Sequence, residues 1–363
     1  WAHQAEALLA LERDSEAAEA LQRLLVLAPE RDSAWLQRGL ALSRLQRHAD
    51  ALACYETLCA RHGQPQPDEL PRQALAWLHR GQALQALDRH DEALPCYEQA
   101  TRLDPALADA WSHLGAMLKD RQRLTEAAQC FRQALAHGAD PELTGYLLAS
   151  VTGDAPPPQS PAPYVRFLFD SYAEGFDAHL VQVLHYDAPR RLVAHLEAQG
   201  FLRFGAALDL GCGTGLCGIA LRERCARLDG VDLSPRMLAR ARARGVYDNL
   251  VEADLAAHLR ATTARYDLVM AADVFIYLGE LDAVFDGVQR VLAPGGVFAF
   301  SVERADDTVD FRLLPSSRYA QSRRYLLALA QRAGLSVGRI EEGPLREDQR
   351  QPVPGLYVTL LRH

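Results

Sequence analysis

The 363-residue sequence predicts two fold classes in series: an all-α helical-repeat solenoid, then an α/β domain built on a parallel sheet. Three observations carry this. A tryptophan recurs in phase through the first 137 residues. Five prolines crowd the stretch from Thr152 to Pro163. Beyond them apolar strand patterns alternate with helical ones, and one strand runs straight into Gly211-Cys212-Gly213-Thr214-Gly215.

In the first part, Trp1, Trp35, Trp77 and Trp111 stand 34, 42 and 34 residues apart. Four residues after each comes a small residue (Ala5, Gly39, Gly81, Gly115), and three further on a leucine (Leu8, Leu42, Leu84, Leu118). Glu16-Ala17, Asp50-Ala51, Glu92-Ala93 and Glu126-Ala127 mark the second half of each unit. The wider spacing maps to a polar insertion at Gly63–Leu70. The small residue lets two helices approach, Trp and Leu fill the space around it, and each pair leaves an apolar face for the next. This pattern resembles the tetratricopeptide repeat. The resemblance implies four helix pairs over about 1–137, capped by a helix within 139–149. Pro29 and Pro105 close the second helices of two units; Gly63 and Pro141 stand at the other two ends, which predicts irregular ends there. Cys54, Cys96 and Cys130 share one phase, each followed by an aromatic. A whole repeat separates them, so they read as small buried residues and not as a metal cluster. The expected domains are 1–149 (repeats and cap), 150–163 (an extended, semi-rigid Pro-rich linker) and 164–363.

Composition narrows the partners. The formal net charge is −8, and residues 1–149 hold 15 Lys+Arg against 21 Asp+Glu, so no nucleic-acid surface is expected. Lys119 is the single lysine, which reads as a base-composition bias. Seven cysteines without a framework spacing point to a reducing cytoplasm. No apolar run reaches the ~18 residues of a membrane span, and no signal-peptide pattern stands at the start. The chain opens at Trp1 without an initiator Met, which suggests a processed or shortened start.

In the second domain the pattern predicts helices near 164–174, 188–199, 215–224, 235–243, 280–291 and 319–333. Strands are expected at 206–210, 227–231, 247–251, 266–271, 297–302, 335–341 and 355–362. Ala207-Leu208-Asp209-Leu210 precedes the glycine turn, and backbone N–H groups in such a turn can hold a ligand closely. Asp209 suits a ligand with a cationic amine and would repel a pyrophosphate. That lowers the weight of the nicotinamide reading that Gly213, Gly215 and Gly218 alone would permit as G-x-G-x-x-G. Asp232 ends the next strand, where a carboxylate accepts both ribose hydroxyls; the capping alternative is better filled by Ser234 ahead of Pro235. Glu252-Ala253-Asp254-Leu255 follows the third strand. Tyr266–Tyr277 is a central strand ending in small Ala271 and Ala272, with Asp273 and Tyr277 just beyond it. Ala293-Pro294-Gly295-Gly296 is a structural turn.

These features, in this order, resemble a class I, Rossmann-like S-adenosylmethionine methyltransferase over about 164–363. The resemblance implies that Gly211, Cys212, Gly213 and Gly215 pack against the methionine part of S-adenosylmethionine, with Asp209 near its amino group. It further implies Asp232 on the ribose, Leu233 and Leu255 against adenine, Asp254 on the adenine amino group, and Ala271 beside the methionine end. The aromatic stretch Tyr164–Asp187 looks like the cap of small methyltransferases. There Tyr172 and Phe176 either embrace the sulfonium or staple helix to sheet. With its repeats, the chain resembles a group of bacterial predicted methyltransferases carrying tetratricopeptide repeats.

Methyl transfer needs alignment and desolvation of the acceptor, with a base only for a hydroxyl. His179, His185, Asp273, Tyr277 and Glu303 are the candidates, and no motif assigns a catalytic role. No metal-ligand spacing occurs. Residues 318–322 and the late 343–349 loop are candidate substrate-facing elements. The leading expectation is a methyltransferase whose repeat groove recruits a peptide or protein substrate and which releases S-adenosylhomocysteine. Its alternatives are a small-molecule methyltransferase with repeats for dimerisation or regulation, and a non-catalytic S-adenosylmethionine-binding scaffold. Homo-oligomerisation stays open.

Overall fold

The computed structural model describes residues 1–61, 66–348 and 350–363. Part of the insertion expected at 63–70, and Gln349 of the 343–349 segment, fall outside the described residues. The chain divides into two compact units, Trp1–Thr152 and Gly153–His363.

The first unit is helical throughout: α1 (Ala2–Ala10), α2 (Asp14–Leu27), α3 (Asp32–Arg44), α4 (His48–Arg61), α5 (Leu70–Ala86), α6 (His90–Leu103), α7 (Ala108–Asp120), α8 (Leu124–Ala136) and α9 (Pro141–Thr152). The repeat phase has a physical cause at each position. A Cβ on Gly81 would lie 2.7 Å from the Tyr97 ring, and one on Gly115 would lie 2.8 Å from the Phe131 ring. Only glycine lets the second helix of a pair bring an aromatic that close. The first pair places Leu21 where the others place Tyr55, Tyr97 and Phe131, and there Ala5 suffices. The Trp35 and Trp111 indoles donate to the carbonyls of Pro29 and Pro105, 2.9 Å each, which ties these two repeats to the turns before them. The in-phase acids face arginines at the helix starts: Arg13–Glu16, Arg47–Asp50, Arg89–Glu92 and Arg123–Glu126. Cys54, Cys96 and Cys130 are buried one per repeat. All seven cysteines are free thiols.

The second unit is an α/β layer structure. Its elements are α10 (Ala162–Tyr172), α11 (Phe176–Ala178), a π-helical turn (His179–Val183), α12 (Ala188–Glu197), β1 (Phe204–Leu210), α13 (Leu216–Leu221), β2 (Cys225–Asp232), α14 (Pro235–Arg244), β3 (Asn249–Glu252), α15 (Leu255–Ala261), β4 (Tyr266–Ala271), α16 (Asp282–Val291), β5 (Leu292–Ala305), β6 (Phe311–Leu313), β7 (Tyr319–Ser322), α17 (Arg323–Arg332), β8 (Ser336–Asp348) and β9 (Gln351–Leu361). Strands β3, β2, β1, β4 and β5 lie side by side and parallel. β9 then pairs antiparallel with Val297–Glu303 of β5, and β8 with β9, so the sheet is mixed and not wholly parallel. Glu303 is flanked by Gly355 of β9 and Ala320 of β7. Fully buried Phe275, Phe285, Phe298 and Phe300 pack against one another on one face of the sheet.

The structure corrects three expectations. Residues 319–322 are a strand, not the first turn of a helix: all four are buried, and the Ser322 side chain caps α17 by accepting from the Tyr325 N–H. Residues 343–348 belong to β8 and are not a loop. Helix α15 follows Asp254 unforeseen. The Pro-rich stretch is strapped to the second unit. The Pro157 carbonyl accepts from the Tyr319 hydroxyl (2.8 Å), and Pro158 accepts from the N–H groups of Gly279 (2.8 Å) and Glu280 (2.9 Å).

Candidate functional site

Parallel strands end on one edge, and there the sheet opens into a cavity of about 620 Å³. Its floor is the turn after β1, the end of β2, and the residues after β3 and β4. Its roof is α10, α11 and the π-helical turn. Of the predicted cofactor residues, Tyr172, Phe176, Gly211, Cys212, Gly213, Asp232, Leu233, Asp254 and Leu255 line it. So do His179, Asp273 and Tyr277. Asp209, Gly215, Ala271, His185 and Glu303 are not part of its lining.

The floor is built from backbone. Gly211, Gly213 and Gly215 all have positive φ, and Gly213 has open space where a side chain would stand. Its N–H donates to Asp232 Oδ2 at 2.8 Å while the Ser234 N–H donates to Oδ1 at 2.9 Å, so each carboxylate oxygen keeps accepting capacity toward the cavity. Burial raises the Asp232 pKa, and those backbone donors oppose it. Ser234 caps α14 by accepting from the Met237 N–H at 3.1 Å, so Asp232 is not the cap. Asp254 does cap a helix: its Oδ1 accepts from the Ala257 N–H at 2.9 Å.

Asp209 lies one layer below. It is fully buried; Oδ2 accepts from the Tyr247 hydroxyl at 2.6 Å, no N–H or O–H group reaches Oδ1, and the Cys217 thiol lies beside the carboxylate. Burial pushes its pKa up to about 7, with the Tyr247 hydrogen bond pulling the other way. Tyr247 also accepts from the Gly218 N–H at 3.1 Å, and a Cβ on Gly218 would stand 2.5 Å from the Tyr247 ring. The third glycine of the apparent dinucleotide pattern is therefore explained by packing against a tyrosine.

The roof is latched by carboxylates. Asp170 accepts from the Ser234 hydroxyl at 2.6 Å, and Asp177 from the Thr214 hydroxyl and the Arg244 guanidinium. Arg166 reaches Glu252 at 3.3 Å. Phe169 meets Tyr277 edge-on with ring centres 5.4 Å apart, and Tyr172 meets Phe176 at 5.5 Å and His179 at 5.5 Å.

The far wall carries charge. Arg346 of β8, almost wholly buried, donates to both oxygens of Asp273 (2.7 and 2.6 Å) and to Glu303. Burial works against the Arg346 charge, but the two carboxylates outweigh it and raise its pKa. Burial raises Glu303 as well, with Arg346 opposing. Asp273 is held at φ 58, unusual for a residue with a side chain, and its N–H donates to the Ser301 hydroxyl at 2.9 Å. Arg318 also lines this wall. Residues 318–322 and 343–349 were identified from sequence as segments; the two arginines within them carried no motif. Tyr247, Asp170 and Asp177 went unsignalled for the same reason: each works through a contact remote in sequence. Among the described residues no group of three or more His, Cys, Asp or Glu is arranged to hold a metal ion.

Comparison with known proteins adds the family. Residues 207–296 match the family described as a methyltransferase domain, which spans β1 to the start of β5 and hence the cavity floor. The C-terminal unit carries a methyltransferase domain. Residues 74–107 match the tetratricopeptide repeat, and residues 2–64 the bacterial transcriptional activator domain. The chain is 34% identical over 132 residues to malonyl-[acyl-carrier protein] O-methyltransferase of Enterobacter lignolyticus, 35% of this chain and 51% of that protein. It is 38% identical over 109 residues to trans-aconitate 2-methyltransferase of Azoarcus, 30% of this chain and 42% of that protein. A crystal structure of magnesium protoporphyrin IX methyltransferase from Synechocystis is similar at 20% identity, with a TM-score of 0.44, over 56% of this chain and 99% of that one. The chain spans about half the length of the malonyl-carrier-protein relatives that it matches. The matched residues supply the cavity floor and Asp273; the roof and the two arginines, Arg318 and Arg346, lie outside residues 207–296.

Proposed function

We propose that the protein is an S-adenosylmethionine-dependent methyltransferase whose repeat unit recruits a peptide or protein substrate in a reducing, cytoplasmic setting. The carrying observation is the acid pair below and beside the glycine turn. Asp232 presents two oxygens, each with capacity left for a ribose hydroxyl. Asp209 Oδ1 is a buried acceptor filled by no N–H or O–H group, with only the Cys217 thiol beside the carboxylate, as an acid kept for a cationic amine would be. The residues present fit the cofactor. Leu233 and Leu255 would flank the adenine, Asp254 has one oxygen left beyond its cap, and Tyr172 and Phe176 would stand over the sulfonium. When bound, S-adenosylmethionine supplies a methyl group already activated by positive sulfur. The chain's own part is to align the acceptor and exclude water beneath α10 and α11.

Recruitment by the repeats is supported by the stacked-pair architecture and the tetratricopeptide match, a scaffold that offers an extended binding surface. A small-molecule reading is favoured by the trans-aconitate and ubiquinone-biosynthesis relatives. The malonyl relative acts on a group carried by a protein, so the two readings meet there. Titration calorimetry with S-adenosylhomocysteine tests the cofactor assignment. Wild type should bind and Asp232→Ala should bind about 10- to 100-fold more weakly, as expected for losing charge-assisted hydrogen bonds. No wild-type binding, or unchanged binding by the variant, defeats it.

A further inference from the structure

We propose that the methyl acceptor is a carboxylate, received at the Arg318 end of the cavity and converted to a methyl ester. This rests on the methyltransferase reading above and names its substrate class.

The argument is one of charge. One part of the lining presents two arginines and one carboxylate to the cavity, Arg318, Arg346 and Asp273, and Arg346 also holds Glu303. Both carboxylates are committed to Arg346. Asp273 is gripped through both oxygens, and Glu303 is closed off by the same guanidinium. That triad carries one surplus negative charge, which Arg318 balances. Arg318 meets Asp348 through a single 3.3 Å contact to a side chain 46% exposed and thus screened by water. The wall is neutral before any ligand arrives, and a sulfonium would then add positive charge. An incoming anion offsets that added charge, and an arginine presents paired N–H donors that match a carboxylate.

The alternatives fit this wall less well. A hydroxyl acceptor needs a base: Asp273 and Glu303 are both held by Arg346, and His179, whose Nδ1 has no hydrogen-bond partner, belongs to the roof and not to this wall. An amine would arrive as a cation beside the Arg318 guanidinium. A carboxylate is already ionised and needs neither base nor proton transfer. One of its oxygens gives the electron pair for the new C–O bond while the C–S pair returns to sulfur, leaving an ester and a neutral thioether. No proton is released. The remaining lining (Val165, Leu168, Leu180, Leu184, Ile276, Leu278) is aliphatic and suits a carbon chain behind that head group.

The test uses the full-length chain saturated with S-adenosylhomocysteine and three probes that share a chain and differ in head group: octanoate, octan-1-ol and octylamine. Octanoate should bind tightest. Arg318→Met should weaken it about tenfold or more, Arg318→Lys should recover part of that, and neither should change S-adenosylhomocysteine affinity. A second arm incubates the protein with methyl-labelled cofactor and a bacterial lysate. Ester label is released by alkali as volatile methanol; methyl ethers and methylamines keep theirs. Preference for the alcohol or amine, indifference to Arg318→Met, alkali-stable label or no label each overturns the carboxylate assignment. Failure to bind S-adenosylhomocysteine overturns instead the reading beneath it.

Discussion

Asp209 decides more than any other single residue, and its burial makes its behaviour measurable. Its pKa is pushed up to about 7 by desolvation, while an aspartate in an unfolded chain titrates near ~3.9. Between about pH 4 and pH 7 the unfolded chain loses this proton while the folded one keeps it. Asp209 therefore subtracts stability progressively as pH rises through that window, and the penalty is complete above it. Cys217, Tyr247 and Asp232 share the environment, so the comparison must be with Asp209→Asn, which cannot ionise. We expect the variant to gain stability relative to wild type from pH 5 to pH 8 in denaturant titrations. Binding of a cationic amine has the opposite sign. Wild-type affinity for S-adenosylhomocysteine should strengthen as pH rises through about 7, and Asp209→Asn should bind weakly with that slope removed. A parallel slope in the two proteins would remove Asp209 from the amine site.

At the level of elements, the repeat pairs show how a one-atom rule shapes a helix pair. The first pair combines Ala5 with Leu21, whereas later pairs combine glycine with an aromatic ring. Gly81→Ala should push against Tyr97, which is fully buried and cannot retreat, and cost about 1–3 kcal/mol as overpacked cores do. Adding Tyr97→Leu recreates the first pair's combination, so the double variant should be less destabilised than the two single effects summed. Additive losses in thermal unfolding would show that the contact is not the cause. These pairs were legible because they are local: Trp, glycine, leucine and ring recur at fixed offsets within one repeat. Strands β1 to β5 were legible for a similar reason, as apolar runs bounded by glycine and acid. β7 was not, because a short, wholly buried strand leading into a capped helix has the same apolar pattern as a helix start. The antiparallel return of β9 was not, since strand direction leaves no trace in a single apolar run. The acids Asp232 and Asp254 were legible from their place after a strand. Arg346 was not: it reaches Asp273 from a strand 73 residues on, a relation set by the fold alone.

For the whole molecule, the decisive question is what the repeat unit contributes, and the strap suggests where to cut. The contacts of Pro157 and Pro158 with Tyr319, Gly279 and Glu280, and the bridge between Gln159 and Leu278, lie within the second unit. A chain starting at Gly153 keeps them; one starting at Tyr164 loses them and leaves the Gly279 and Glu280 N–H groups without those acceptors. Each such group costs about 1–3 kcal/mol where water cannot replace the partner. The longer chain should therefore unfold at higher temperature and bind S-adenosylhomocysteine like the full protein, and the shorter should be weaker in both respects. With that control, recruitment becomes separable from catalysis. If the repeats hold a protein substrate, the 153–363 chain should show a raised KM toward labelled lysate protein with kcat nearly unchanged, because tethering changes encounter and not the transferred methyl. An unchanged KM would assign the repeats to dimerisation or regulation instead. A loss of kcat alone would mean that they act on the site itself.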